Sequence, residues 1–237
     1  ELFHDYFQTK QNILKDLGED VEMNRYHIYA PLKTSKATYT FDEAKNLIFT
    51  TFKSFDERFY NAAKQIFDAD HIHSHPKKNK RSGAFCMEAP TGIPPYILTN
   101  YDGNLNDVKT LAHELGHGIH DVFIDKQTKL NRHPVLPMAE TASVFAEMLL
   151  QDNLQDDVET PKDEIAILGD FLDDQFGTIL RQIYFTEFER QAHKALADGA
   201  SQEDLNTIYH DLLNEQFGDI PVPEAFKREW NSIPHIH

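Results

Sequence analysis

The sequence lacks the features of a secreted or membrane-spanning chain. It has one cysteine, Cys86, among 237 residues, so no disulfide can form within the chain, and this suits a reducing compartment. No apolar run approaches the roughly 18 residues that a membrane-spanning helix needs. The first residues, ELFHDYFQTK, do not have the pattern of a signal peptide. We therefore expect a cytoplasmic protein that does not enter a membrane.

Positive charge is also scarce. The chain has 23 lysines and arginines against 39 aspartates and glutamates, which gives a formal net charge of −16. Nucleic acids and anionic membrane surfaces are bound through basic patches, so this balance excludes both as expected partners. Apolar residues make up 40% of the chain, which is enough for a globular protein with a buried core.

Helical periodicity dominates the chain, and we predict a mainly α fold with a small β-sheet. The run TFDEAKNLIFTTFKSF opens with a capping-box signature, Thr40 followed by Glu43. The segment 71–83 contains Pro76 and Gly83 and is predicted as a loop. The predicted regions are helices over 1–70, a small sheet over about 82–103, further helices over about 104–152, and helices again over 161–237, with an interruption near Gly177.

The segment TLAHELGHGIHDVF, residues 110–123, places titratable side chains on one helix face. The helix is predicted over about Asn106–Phe123. At about 100° per residue, His117 lies about 40° from His113, on the side opposite the apolar residues. Two histidines four residues apart can bind one metal ion, and zinc accepts imidazole nitrogen at about 2.0–2.1 Å. Glu114 flanks them, where a general base for a metal-activated water belongs.

The third metal ligand must come from outside this motif. In HExxHxxGxxH proteins it is a third histidine, but that position here is Phe123, which excludes this class. The next helix carries AETASVFAE, in which Glu140 and Glu147 lie seven residues apart and share a face. We favour Glu140 over Glu147 as the ligand, and in that arrangement Glu147 can hydrogen-bond a ligand histidine. His120 is expected not to be a ligand, because a catalytic zinc keeps its fourth position for water. The predicted ligands of one Zn²⁺ per chain are His113, His117 and Glu140.

Several segments together resemble a known family. HELGHGIH followed by ETASVFAE, with RSGAFC and PYILTNYDGNLNDVKTLAHELGH before them, is similar to the oligoendopeptidase F branch of the thimet oligopeptidase-like zinc peptidases. The resemblance implies a zincin-like, channel-bearing peptidase that cleaves short peptides and excludes folded proteins. It implies the same three ligands and Glu114 as the general base. It further implies that RSGAF and PYILTNY line the cleft, where an edge strand pairs with the substrate backbone.

The resemblance also implies that residues 1–237 are one catalytic-core region of a larger zinc oligopeptidase. Members of the family continue beyond a segment like IPHIH into a tyrosine-rich stretch that steadies the tetrahedral intermediate together with a histidine. The resemblance implies that His235 or His237 corresponds to that histidine. We expect the missing N- and C-terminal segments of the parent enzyme as partners, and weak turnover without them, because loss of one oxyanion donor costs about 10²–10³ in rate.

Two alternatives remain open from the sequence. The first is a truncated fragment that binds a metal or a peptide without efficient catalysis. The second is a di-iron carboxylate helical protein, which needs Glu-x-x-His pairs on two helices. Glu114 and His117 form one such pair, but Glu189 and His193 are four residues apart.

Overall fold

The structure is a computed structural model that describes residues 2–16, 22–28, 30, 38–156, 158, 160–233 and 236. The chain divides into two compact units. One comprises Glu1–Lys33 with Lys162–His237, and the other comprises Thr34–Pro161. His235 and His237, the histidines assigned by resemblance, lie outside the described residues.

The predicted fold class is confirmed, because the described residues form eight α-helices and one three-stranded sheet. None of these helices is both long enough and apolar enough to cross a membrane. The elements are α1 (Leu2–Asp16), α2 (Phe41–Phe55), α3 (Glu57–Asp68), β1 (Ile72–His73), β2 (Phe85–Met87), β3 (Tyr96–Leu98), α4 (Leu105–Ile124), α5 (Leu136–Asp156), α6 (Pro161–Gln175), α7 (Gln182–Ala197) and α8 (Gln202–Phe217).

The sheet lies in the unit Thr34–Pro161, and β3 is its central strand. It pairs antiparallel with β2, with Cys86 opposite Ile97, and parallel with β1. The prediction of a loop over 71–83 was wrong at β1. The backbone N–H of Ile97 donates to the carbonyl of His71 at 2.9 Å. A two-residue strand is defined by such pairing with a distant segment, so its own residues carry no periodic signal.

Helix α4 begins where the sequence predicts, within one residue, and its start is firmly held. Asn104 and Asp107 form a capping box. The Asp107 carboxylate also accepts hydrogen bonds from the backbone N–H groups of Asp102 and Gly103 at 2.8 and 2.9 Å. Gly103 has φ +102°, a conformation that favours glycine. The turn that links β3 to the motif helix is therefore held by the first turn of α4.

Helices α4 and α5 pack closely at Gly116. A Cβ on this residue would lie 2.7 Å from both the carbonyl oxygen of Ala142 and the Cα of Ser143. The side chains of Leu111 and Leu115 on α4 are fully buried. The absence of a side chain at Gly116 therefore allows the backbone of α5 to contact α4 beside the histidine face.

The other unit contains α1, α6, α7 and α8 around an aromatic core. Phe7 lies 5.0 Å from Phe176 and 5.7 Å from Phe217, measured between ring centroids. The predicted interruption near Gly177 is present as a π-helical segment, Phe176–Arg181, between α6 and α7. Phe176, the first residue of this segment, is fully buried in the aromatic core.

We predict that Gly116→Ala destabilises the protein by about 1–3 kcal/mol, because the added methyl group must displace the backbone of α5. Gly118→Ala is the matched control on the same helix. Its Cβ would lie 2.6 Å from Cδ1 of Ile66, which is the end of a side chain and not backbone, so its cost should be smaller. Urea unfolding measures both free energies of unfolding. A Gly116→Ala variant as stable as the parent would contradict the close packing.

Candidate metal centre

Three side chains from two helices converge on one point. His113 and His117 project from α4 and Glu140 from α5, and one potential ligand atom from each lies within 4.8 Å of the others. Oε2 of Glu140 lies 3.4 Å from Nε2 of His113 and 3.5 Å from Nε2 of His117. These distances exceed the usual N–H···O hydrogen bond of about 2.7–3.2 Å. They match the edge of about 3.4 Å in a tetrahedron with metal–ligand bonds of about 2.1 Å. The three residues therefore fit a single tetrahedral ion.

The histidine rings are oriented by groups behind them. Nδ1 of His113 donates a hydrogen bond to Oε1 of Glu147. This leaves the lone pair of Nε2 facing Glu140, as a metal ligand requires. His117 is hydrogen-bonded to the backbone of Ala139. Glu147 is thus hydrogen-bonded to His113, the contact that its position on the α5 face indicated.

Burial lowers the pKa of each of the two imidazoles, and nearby carboxylates raise it. Burial lowers the pKa of His113, but the hydrogen bond and negative charge of Glu147 outweigh it, and the net shift is upward. Burial also lowers the pKa of His117. There the nearby His113 adds to the lowering while Glu140 opposes it, and the net shift is downward. His117 is therefore uncharged at neutral pH and offers its lone pair without first losing a proton.

Glu114 lies in the wall beside this cluster and is 6% exposed. Burial raises the pKa of its carboxyl to about 7, although His113 and a hydrogen bond from the Cys86 backbone lower it. Strand β2 therefore holds the carboxylate through its main chain. Such a contact does not depend on the type of residue 86, and the sequence could not indicate it. A carboxyl group that titrates near neutrality can both accept and release a proton.

A cavity of about 540 Å³ opens over the cluster, between α4, α5 and β2. Its wall includes His120, which is not one of the three convergent residues, and Asp121. Burial, with the charge of Glu88, raises the pKa of Asp121 to about 6. Asp121 was not predicted as a site residue from the sequence, although it lies one helical turn after His117 on the same face of α4.

Cys86 also faces the cavity, with Sγ 3.9 Å from Oδ2 of Asp121. Burial and the neighbouring charges of Asp121 and Glu114 raise the pKa of its thiol. It is therefore a protonated thiol at neutral pH, which does not suit a nucleophile.

Arg132 is a second buried group that the sequence did not reveal. It is 5% exposed and forms ion pairs with Glu88 and Asp125, each at 3.0 Å. It also donates to the hydroxyl of Thr91 at 2.6 Å. These contacts join the segment before α5 to the segment after β2, on one side of the cavity.

The known proteins that are similar to this chain are named as peptidases. The model of "Peptidase family M3" matches residues 1–237. Oligopeptidase PepF of Bacillus subtilis is 32% identical over 241 residues, which cover 100% of this chain and 35% of that protein. Group B oligopeptidase PepB of Streptococcus agalactiae is also 32% identical, over 100% of this chain and 39% of the relative. The chain therefore spans little more than a third of these relatives.

Solved structures agree with this comparison. A crystal structure of a peptidase from Chlamydophila abortus has a TM-score of 0.78 and 35% identity, covering 99% of this chain and 39% of the other. Oligoendopeptidase-F from Enterococcus faecium superposes with a TM-score of 0.63 over 99% of this chain and 34% of that one. At 22% identity, this second likeness concerns the fold alone.

We predict that Glu147→Gln lowers zinc affinity about 10-fold, because a neutral amide binds and orients the His113 ring less strongly than a carboxylate. Asp152→Asn is the control, since it removes an exposed carboxylate from the same helix. Competition with a chromophoric chelator measures both affinities. If both variants bind zinc as the parent does, Glu147 does not orient the ligand.

Proposed function

The chain belongs to peptidase family M3, and from this premise we propose that it is a zinc-dependent endopeptidase that hydrolyses short oligopeptides. The main support for this proposal is that His113, His117 and Glu140 converge on one point. The buried carboxyl group of Glu114 lies beside them. The proposed ligands of one zinc ion per chain are His113, His117 and Glu140.

Zinc is proposed because of the donor set. Two imidazole nitrogens and one carboxylate oxygen, with a fourth position left for water, form the usual set of a catalytic zinc site. Cobalt or manganese could occupy the same ligands. When bound, the ion supplies a Lewis acid that polarises the scissile carbonyl and lowers the pKa of water towards about 7.

The residues of the chain provide the proton transfers. We propose that Glu114 accepts the proton of the attacking water and delivers it to the leaving amine. Its pKa of about 7 and the hydrogen bond from the Cys86 backbone support this role. Glu114 belongs to α4, and the Cys86 backbone that donates the hydrogen bond belongs to β2.

The substrate is proposed to bind along the free side of β2. The sheet order is β1-β3-β2, so among the described residues no strand pairs with the outer side of β2. The backbone of Cys86 faces Glu114 on that side, and alternation places the backbone groups of Ala84 and Glu88 on the same side. Both residues line the cavity. An extended peptide can add there as a strand.

A second candidate is a fragment that binds metal or peptide without efficient turnover. It is favoured by one observation, that the chain covers only 35% and 39% of the two curated relatives. A di-iron site is not proposed, because the described residues bring together one group of three ligands and no second one.

We predict that Glu114→Gln retains zinc but loses hydrolysis by at least about 10², since the amide cannot accept the water proton. Cleavage of a fluorogenic peptide and elemental analysis of the metal measure the two properties. Asp152→Asn, an exposed carboxylate change on α5, should cleave as the parent does. Parent-like hydrolysis by Glu114→Gln would show that another group is the base.

Removal of the metal should abolish cleavage by the parent chain, and added zinc should restore it. The same fluorogenic assay, with and without a chelator, measures this. Chelator-resistant cleavage would contradict the metal-dependent mechanism. Stoichiometric zinc binding with no cleavage in either condition would instead establish the binding fragment.

A further inference from the structure

Ser143 lies three residues after Glu140 on α5 and is fully buried. Its Oγ is 2.9 Å from Oε2 of Glu140 and 3.0 Å from the backbone carbonyl oxygen of the same residue. Oε2 is also the oxygen that faces Nε2 of His113 and Nε2 of His117. One hydroxyl group therefore contacts the atom at which the three proposed ligands converge.

The hydroxyl has one proton and two acceptors within reach. A hydrogen bond to an ionised carboxylate is stronger than one to a neutral carbonyl, so donation to Oε2 is favoured. The nearby carbonyl is the type of acceptor to which serine commonly bonds within a helix. Both contacts hold the Ser143 side chain in one rotamer, pointing towards Glu140.

We propose that Ser143 is a positioning residue, which holds the Glu140 carboxylate in the orientation that binds the metal. This inference rests on the proposed function, and it adds Ser143 as a residue that orients Glu140, one of the proposed metal ligands. The Glu140 side chain is 46% exposed, so without a fixed partner its rotamers would extend into solvent. Ordering such a side chain costs conformational entropy each time a metal binds. Ser143 removes part of that cost by holding the carboxylate before binding.

The packing of α5 on α4 keeps this hydroxyl away from solvent. The Cα of Ser143 lies 2.7 Å from the position that a Cβ on Gly116 would occupy. Water therefore has no access from the α4 side to replace the hydroxyl if it is removed. The loss of the hydrogen bond should be measurable for this reason.

The first test compares Ser143→Ala and Ser143→Thr with the parent in the binding of Cu²⁺, which binds imidazole sites more tightly than other divalent first-row ions. Removing the hydroxyl should lower affinity about 10-fold, as for other groups that orient a ligand. Threonine keeps the hydroxyl and should bind within about 3-fold of the parent. Thr51→Val, which removes a buried hydroxyl on α2, should not change the affinity. Thermal unfolding of the metal-free variants separates a loss of stability from a loss of positioning.

The second test repeats Ser143→Ala in a chain that already carries Glu140→Ala. With no carboxylate to hold, the serine change should alter Cu²⁺ affinity by less than about 2-fold. An equal loss in both backgrounds, or no loss in the parent background, would overturn the role of Ser143. If the parent itself binds no ion, the proposed function fails as well. If the parent binds and Ser143→Ala binds equally well, only the positioning role fails.

Discussion

The contact between α4 and α5 is the constraint on which the rest of the site depends. It brings Oε2 of Glu140 to 3.4 and 3.5 Å from the two histidine nitrogens, and it exists because Gly116 has no side chain at the crossing. The same crossing places Ser143 behind Glu140 and Glu147 behind His113. Helix α5 thus contributes three residues of one face, at spacings of three and four, to a site whose histidines belong to α4.

Electrostatics favour a cation at this point. Glu114 and Asp121 are partly or largely buried, and burial raises the pKa of each. The nearby Glu140 and Glu147 add negative charge, which contributes to the raised pKa of Glu114. Burying carboxylates close together is unfavourable unless positive charge compensates. An ion held by the histidines and Glu140 would supply that charge in the cavity, and Arg132 supplies it at the rim.

The helix face that carries the candidate metal ligands was predictable because it follows helical periodicity. His113, His117 and Glu114 are separated by angles that the spacing alone determines, and Glu140 was indicated by the absence of a third histidine at Phe123. The mainly α fold followed from the same periodicity. Contacts between distant segments were not predictable. Strand β1 exists through its pairing with β3, and the hydrogen bond from the Cys86 backbone to Glu114 is independent of the side chain. The ion pairs of Arg132 with Glu88 and Asp125 join segments that sequence spacing does not relate.

The proposed function requires that two imidazoles of α4 and one carboxylate of α5 hold one zinc ion. A crystal of the zinc-loaded chain, measured on both sides of the zinc absorption edge, tests it most directly. One anomalous peak per chain is expected, at about 2.0–2.2 Å from Nε2 of His113, Nε2 of His117 and a carboxylate oxygen of Glu140. A peak elsewhere, or a zinc ion bound by the histidines while Glu140 points into solvent, would contradict it.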